Sequence, residues 1–567
     1  MLQQDSPDLV GKASRADDAS IIAKWDERYK KARDDRRQHE GTWLTNLAFV
    51  KGDQWMSWSK QRQTLYNKPS PPGRIRTTSN LMQPIVRTLL GKIGAQQTQG
   101  KVQANSETPE ANMDARAQDE LLEHLRHVCK SEETDGEALK WMLIAGTGIH
   151  HLCWDKSIGD EVLEPDTIMV DSTDPMTGQP TQVEQPNPNA GQPVREPAAS
   201  PADGEDPKPG AVVHMGEVDH MPVSPLQFFP EPMAKTIDDM EWCLYVCVRP
   251  ASYVLRKYGK KVEEDRISAD EFLQATPGED SGLAKGVVVK SGFERPNAEN
   301  PEGSYIVFAG EEVLVNGPNP YPKFPLPFIV EKDPLVPDSF WGRSIVSDLV
   351  PLQRAYNRLK SQAAEIREQV ARPKWHRFKN TMDPGVPITT ASNEVIESTY
   401  MAGMPDGGKP SKIVGGDVPA SFHVEAAAIE RQFYEIAGLH DFRSGTQGAM
   451  GGKTASGLRM LLEQDDTRVG VLKREHDKAV LDSQAAMLKL AKQFYIEPRT
   501  VTVVGPDLAV EVKTFYSEKI SDDPQVRLVA SGNLPTSMVA HSTAVPTTPS
   551  RVSTTPSGSE PTSPSSK

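Results

Sequence analysis

Between residues 345 and 370 apolar side chains recur at Ile345, Leu349, Leu352, Tyr356, Leu359, Ala363, Ile366 and Val370, in alternating steps of four and three. That period predicts one α-helix with a narrow apolar stripe, about 40 Å long at 1.5 Å per residue. Pro351 lies inside the stripe and must either begin the regular part of the helix or kink it. A second helix, over 420–437, repeats the pattern with Phe422, Ala426, Ile429, Phe433 and Ile436. Narrow stripes with polar flanks suit two arrangements, a bundle within the chain or helices packed against copies of themselves in another subunit. The residues leave both open.

The 567-residue chain is long enough for several compact domains with substantial cores. Upstream, residues 16–50 are strongly charged, with Trp25, Tyr29, Trp43, Leu47 and Val50 on a rough helical stripe. A second helical block, 79–94, contains "NLMQPIVRTLLGKIG". A third, 111–145, carries Leu121, Leu125, Val128, Leu139, Met142 and Ile144, with an interruption expected near Gly136. Short strands are predicted in "VLEPDTIMVD", "VVHMGEVDHMPVSPLQFF", "EWCLYVCVRP", "GVVVKSGFE", "SYIVFAGEEVLV" and "FPLPFIVEKDP", punctuated by Pro and Gly. Residues 172–210 hold nine prolines and no aromatic residue, the composition of a disordered surface insertion.

Between the two striped helices the chain is non-helical, basic at its start ("KWHRFK") and rich in turn residues. After "GGKTASG" a long helical block runs over 458–495, and strands return in "TVTVVGPDLAVEVKTF" and "QVRLVASG". The last 27 residues hold 8 Ser, 6 Thr and 5 Pro and bury too little apolar surface to offset their ordering entropy. The expected fold class is α+β.

A search for chemistry returns little. "GGKT" at 451–454 suggests a phosphate-binding loop, but the position five before Gly452 is Gln447, and the segment upstream has helical spacing where a P-loop needs a buried strand. A mobile glycine-rich loop carrying Lys453 as an exposed cation is the simpler reading. His150 and His151 lie in an apolar run without the i, i+4 spacing or partner Glu of a helical zinc site, so they read as packing residues. No Gly-x-Ser-x-Gly elbow sits between a strand and a helix, and Asp465 and Asp466 read as a solvated helix face. No catalytic residue, metal ligand or cofactor is expected.

The net charge of −14 argues against a protein that grips nucleic acid by neutralising phosphates. Four cysteines make no disulfide framework, and Cys243 and Cys247, four apart in a strand-like run, read as core. The start lacks a basic segment followed by an apolar one, and "WMLIAGTGIHHLCW" is too short and polar to span a bilayer. Assembly in a reducing cytoplasm is the expectation, with no membrane contact.

The order of these parts resembles the portal proteins, or head-to-tail connectors, of tailed bacteriophages. The resemblance rests on "NLMQPIVRTLLGKI" after "KGDQW", on "LIAGTGIHHLCWD", on "DPLVPDSFWGRSIVSDLVPLQRAYNRLKSQAAE", on "GGKTASGLRMLLEQ" and on "PQVRLVASGNLP", together spanning most of residues 16–535. It implies a ring, usually of twelve subunits, around a channel for double-stranded DNA. Residues 1–15 would form a disordered N-terminus and 16–340 a wing, helical at first, then β-rich around the insertion. Residues 341–374 would form the first stem helix, 375–418 the clip, 419–440 the second stem helix and 441–456 the channel loop. A long helix over 457–500, returning wing strands over 501–535 and a disordered tail over 536–567 complete the map.

In that map Ile345, Leu349, Leu352, Tyr356, Leu359, Ile366, Val370, Phe422, Ile429 and Phe433 would form a seam between subunits. Arg443 and Lys453 would face DNA in transient contact. Lys374, Trp375, Arg377, Phe378 and Lys379 would meet the packaging motor (terminase) and later a head-completion adaptor or tail protein. Major capsid and scaffolding proteins are further implied partners, and the implied location is the portal vertex of the virion. One departure is visible: a Ser/Thr/Pro tail follows "LVASGNLPTS" where portals commonly continue into crown-building helix. The alternatives are a P-loop packaging ATPase and a different virion structural protein.

Overall fold

A computed structural model of the chain describes residues 15–528, apart from 95–97, 163–166, 174–179, 187–191, 195–213, 268–283, 380–394, 400–410, 440–454, 505–509 and a few one- or two-residue gaps. The chain opens with helix α1 (Arg15–Lys51), the hairpin β1 (Met56–Ser59) and β2 (Thr64–Asn67), helix α2 (Met82–Gly94) and strand β3 (Gly100–Gln103). Helices α3 (Pro109–Val128) and α4 (Ser131–Ala145) lead into strand β4 (Thr147–Asp155). Then come β5 (Thr167–Thr173), β6 (Pro180–Pro186), β7 (Glu217–Val223), β8 (Phe228–Pro230), β9 (Trp242–Arg249) and helix α5 (Ala251–Tyr258). Strands β10 (Asp265–Ile267), β11 (Ala284–Glu294), β12 (Ser304–Ala309), β13 (Glu312–Gly317) and β14 (Phe328–Lys332) follow.

The C-terminal part contains helix α6 (Ile345–Ala371), strands β15 (Lys374–Phe378), β16 (Val395–Ser398) and β17 (Ser411–Ile413), and helices α7 (Ala420–Ala437) and α8 (Ala455–Phe494). It ends with β18 (Arg499–Val504), β19 (Val510–Phe515) and β20 (Gln525–Leu528). The fold is mixed α and β.

Two sheets organise the front of the chain. One runs β13-β12-β11-β9-β8 with β10 added to β11, and the other β14-β4-β7; every pairing in both is antiparallel. Helix α1 is strongly charged, yet Ile22, Trp25, Tyr29 and Ala32, in steps of 3, 4 and 3, turn one stripe onto Phe229, Leu244, Ile306 and Phe308 of the larger sheet. Arg36 of α1 is buried and still satisfied: it pairs with Glu40 at 2.8 Å and donates to the Leu226 carbonyl at 2.5 Å. Cys243 and Cys247 are both buried on β9.

Two glycines permit close backbone approaches at the start of β4, one to α4 and one to the segment before α6. A Cβ at Gly148 would strike the Ala138 carbonyl, and one at Gly146, where φ is +91°, would fall on the carbonyl of Gly342. These positions belong to "AGTG" and "WGRS", so the close approach explains why both stretches contain glycine.

Several expectations are corrected. The helical block 111–145 breaks at Cys129–Lys130, where Lys130 takes a left-handed φ of 49°, and Gly136 sits undisturbed inside α4. Packing of Leu139, Met142 and Leu143 holds the helix through that glycine. The proline-rich stretch 172–210 is not disordered throughout, since β6 pairs in seven positions with β5. Its "PTQVEQP" carries the β-branched Thr181 and Val183, which whole-segment composition conceals. The long C-terminal helix stops at Phe494 and β18 begins at Arg499, inside the range 457–500 expected to be helical; Pro498, at the junction, cannot continue a helix. Pro351 lies within α6, which begins at Ile345. The tail over 536–567 and residues 1–14 lie outside the described residues. Among the described residues no helix is long and apolar enough to cross a membrane.

Candidate functional site

Helices α6 and α7 pack face to face, and their stripes are consumed within the chain to different degrees. Leu349, Tyr356 and Leu359 of α6 and Ile429 and Phe433 of α7 are buried in one cluster with Phe49 of α1, Met82 and Leu89 of α2, and Met142 of α4. Ile345, Leu352 and Phe422 are half-buried against the same cluster, and Ile366 and Val370 stay half-buried at the far end of α6. Tyr356 donates to Glu430 of α7 at 2.5 Å. Burial first, and then that carboxylate, push the phenol well above its ordinary pKa. The outer face of α7 is different: Val424 is 70% exposed, and Ala427 and Ala428 are exposed beside it.

A second face of α6 carries a polar ladder. Gln353, Asn357, Ser361 and Glu365, spaced four apart, accept the backbone N–H groups of Leu81, Ser79, Thr77 and Ile75 at 3.1, 3.2, 2.9 and 3.2 Å. Spacing of four keeps the donors' partners on one helical face, while taking every second N–H matches the alternation of a strand-like segment. The ladder is reinforced by Gln353 donating to the Ser79 carbonyl at 2.7 Å, Asn357 donating to Gln54 at 2.5 Å, and Arg74 paired with Glu365 at 2.8 Å. It straps the segment before α2 onto α6.

Between α6 and α7 lies a small three-stranded sheet in which β15 is central, parallel to β16 and antiparallel to β17. Trp375, Arg377 and Phe378 are half-buried on β15, and Lys379 is exposed just beyond it. Lys374 pairs through its backbone with Ile413. Arg377 is committed to Glu397 across the sheet, donating through Nε at 2.8 Å. Lys412 of β17 stands 5.1 Å over the Trp375 ring, and the residues of β17 are all exposed. The basic cluster expected from "KWHRFK" is therefore partly neutralised, and Lys412 belongs to it. Arg443, Lys453 and residues 441–454 of the expected channel loop lie outside the described residues.

The structure also assembles a buried polar cluster where the sequence showed only packing histidines. On the β4–β7 pair, His150 and His220 are diagonal neighbours on one face, and their rings stack at 5.2 Å with Nδ1 of His150 3.0 Å from Nε2 of His220. Asp135 of α4 reaches the same point, its Oδ1 3.7 Å from Nδ1 of His150. Beside them His476 of α8 donates to Glu331 of β14 at 2.7 Å. Burial holds both histidine rings of the first group neutral, that of His220 at about 3, and pushes the Asp135 carboxyl up to about 7. His151 points to the other face, stacked on Phe328 at 4.6 Å. The partners of His150 come from two different elements, Asp135 from the helix just before its strand and His220 from a strand 70 residues on, so no single helical or strand period could have indicated them.

Residues 26–181 match the family model of the phage P22-like portal proteins. That span runs from α1 to the β5–β6 hairpin; it contains Asp135 and His150 but none of α6, α7 or the sheet between them. No curated protein sequence matches the chain.

Proposed function

We propose that the chain is the subunit of a bacteriophage portal, a ring at one capsid vertex through which double-stranded DNA passes during packaging and ejection. The observation that carries this reading is the match of residues 26–181 to the P22-like portal family. The ordered likeness of the later segments, to residue 535, supports it.

In this reading α6 and α7 are stem helices. Their buried stripes fix each hairpin within its own subunit, and the faces that meet neighbouring copies are those left open: Val424, Ala427 and Ala428 on α7, and the Ile366–Val370 end of α6. The sheet of β15, β16 and β17 is the docking end, offering Lys379 and Lys412 to the packaging motor and afterwards to an adaptor or tail protein. Arg443 and Lys453 form a positive collar in the channel. The net charge of −14 per chain, repeated around a ring of twelve, discourages tight phosphate binding and suits a conduit along which DNA slides.

The test is assembly. Negative-stain images and native mass measurements of the purified full chain should give closed rings of about a dozen subunits. A protein that stays monomeric or dimeric at micromolar concentration across a range of salt would overturn the reading.

A further inference from the structure

We propose that Asp135, His150 and His220 form a binding site for one divalent transition-metal ion of the zinc class, held between α4, β4 and β7. Two imidazoles and one carboxylate are a common donor set for such ions. Here they come from three different elements and meet at one point: one ligand atom from each of Asp135, His150 and His220 lies within 4.8 Å of the other two. Two of the edges measure 3.0 and 3.7 Å. A tetrahedral ion with bonds of about 2.0–2.1 Å needs ligand separations of roughly 3.3 Å, so both edges are within a few tenths of an ångström of the required shape.

Three further observations favour a cation over simple packing. Asp135 Oδ1 is buried and has no hydrogen-bond partner, although it points at the two rings. The two facing nitrogens can share only one proton between them, and that leaves the carboxylate oxygen unmatched. His220 is already oriented as a ligand should be, its Nδ1 lying 3.4 Å from Ser131 Oγ, and the Thr134 hydroxyl donates to the His220 backbone carbonyl at 3.0 Å. Burial keeps both rings in the neutral form that binds metal.

A cleft borders the site on its Asp135 side. Asp135 lines a cleft of about 540 Å³ between α2, α4 and α8, together with Thr98, Arg126, Glu132 and His476. A fourth ligand, a water, would come from this cleft. His476 is not needed as a ligand because it is already engaged by Glu331.

The experiment uses the untagged full chain, stripped with a chelator and titrated with Zn²⁺ and separately with Co²⁺. About one equivalent of Zn²⁺ per chain should bind and raise the unfolding temperature. Co²⁺ should give the intense visible bands of four-coordinate nitrogen and oxygen ligation, without a thiolate charge-transfer band. His220→Gln and the nearly isosteric Asp135→Asn should each weaken binding about tenfold or more. Uptake below about half an equivalent, unchanged uptake in folded Asp135→Asn protein, or a thiolate band from one of the four free cysteines would each overturn the proposal. If His220→Gln fails to fold, Asp135→Asn and the wild-type cobalt spectrum decide the matter.

Discussion

The imidazole of His476, on helix α8, donates to the carboxylate of Glu331, on strand β14, at 2.7 Å, and both side chains are buried. Burial raises the Glu331 carboxyl, with His476 opposing. For His476 burial pulls downward, but the bond and charge of Glu331 prevail and raise it above its ordinary value. Asp135, pushed up to about 7 by burial, faces them, with Arg126, Glu132 and Asp477 nearby. All three raised groups hold protons more tightly folded than unfolded. Their stabilisation is full below the unfolded values and is lost as pH rises through the folded ones. In chelator-treated protein, denaturant titrations should therefore show stability falling as pH rises from about 4, the ordinary carboxylate value, through about 7, the value of Asp135, by an amount on the order of a few kcal/mol. His476→Gln should flatten the upper part of that curve; an unchanged slope would show the pair to be electrostatically idle.

The polar ladder on α6 predicts a cost out of proportion to its sequence. Gln353→Ala removes partners from both the Leu81 N–H and the Ser79 carbonyl. We expect a loss of about 1–3 kcal/mol in urea unfolding, because two partly buried backbone groups are left unmet. An exposed glutamine of the same helix, such as Gln369, should be nearly neutral on replacement.

Opposite faces of α7 should separate folding from assembly. Phe433→Ala, deep in the shared cluster, should cost about 3–5 kcal/mol in monomer stability. Val424→Asp, on the open face, should leave the melting temperature close to wild type yet abolish rings in negative-stain images. Rings that persist in Val424→Asp would assign the subunit contact elsewhere.

Lys379 and Lys412 should act after assembly. Reversing both to Glu is expected to leave rings intact and to prevent co-purification with the packaging motor, whereas Arg377→Glu should also disturb the sheet by placing a second carboxylate beside Glu397. Normal motor binding by the double reversal would remove this sheet from the docking surface.

Arg443→Ala with Lys453→Ala should spare folding and ring formation but change the amount of genome retained by particles. Each exposed phosphate contact contributes ~1 kcal/mol or less, so the effect should grow at low salt, where screening is weak. Particles with wild-type retention at every salt concentration would make the loop a passive connector.

The striped helices were legible because a period repeated through Leu349, Tyr356, Leu359, Ile429 and Phe433 survives in any context. Which partner they meet was not, since the period describes a face and not its neighbour. Gln353, Asn357, Ser361 and Glu365 read as a solvated flank; their role depends on a segment more than 270 residues away. Distance also hid His220 from His150, whereas Asp135 lies close in sequence but across a helix-to-strand turn that no single period describes. Lys130 shows a third limit, for a lysine in a left-handed conformation is imposed by the packing of the helices on either side of it.

The strap along α6 behaves as a vernier. Four residues of helix advance roughly 6.0 Å, while two residues of extended chain advance roughly 6.6 Å. Each successive rung is therefore out of step by roughly 0.6 Å, and over three intervals the error approaches 2 Å. The side chains absorb it by length: short Asn357 and Ser361 serve the two middle rungs, and the longer Gln353 and Glu365 reach the two outer ones. Two rulers of unequal pitch can be read against each other only near coincidence, so this pairing sets its own length and allows only one alignment of the segment on the helix.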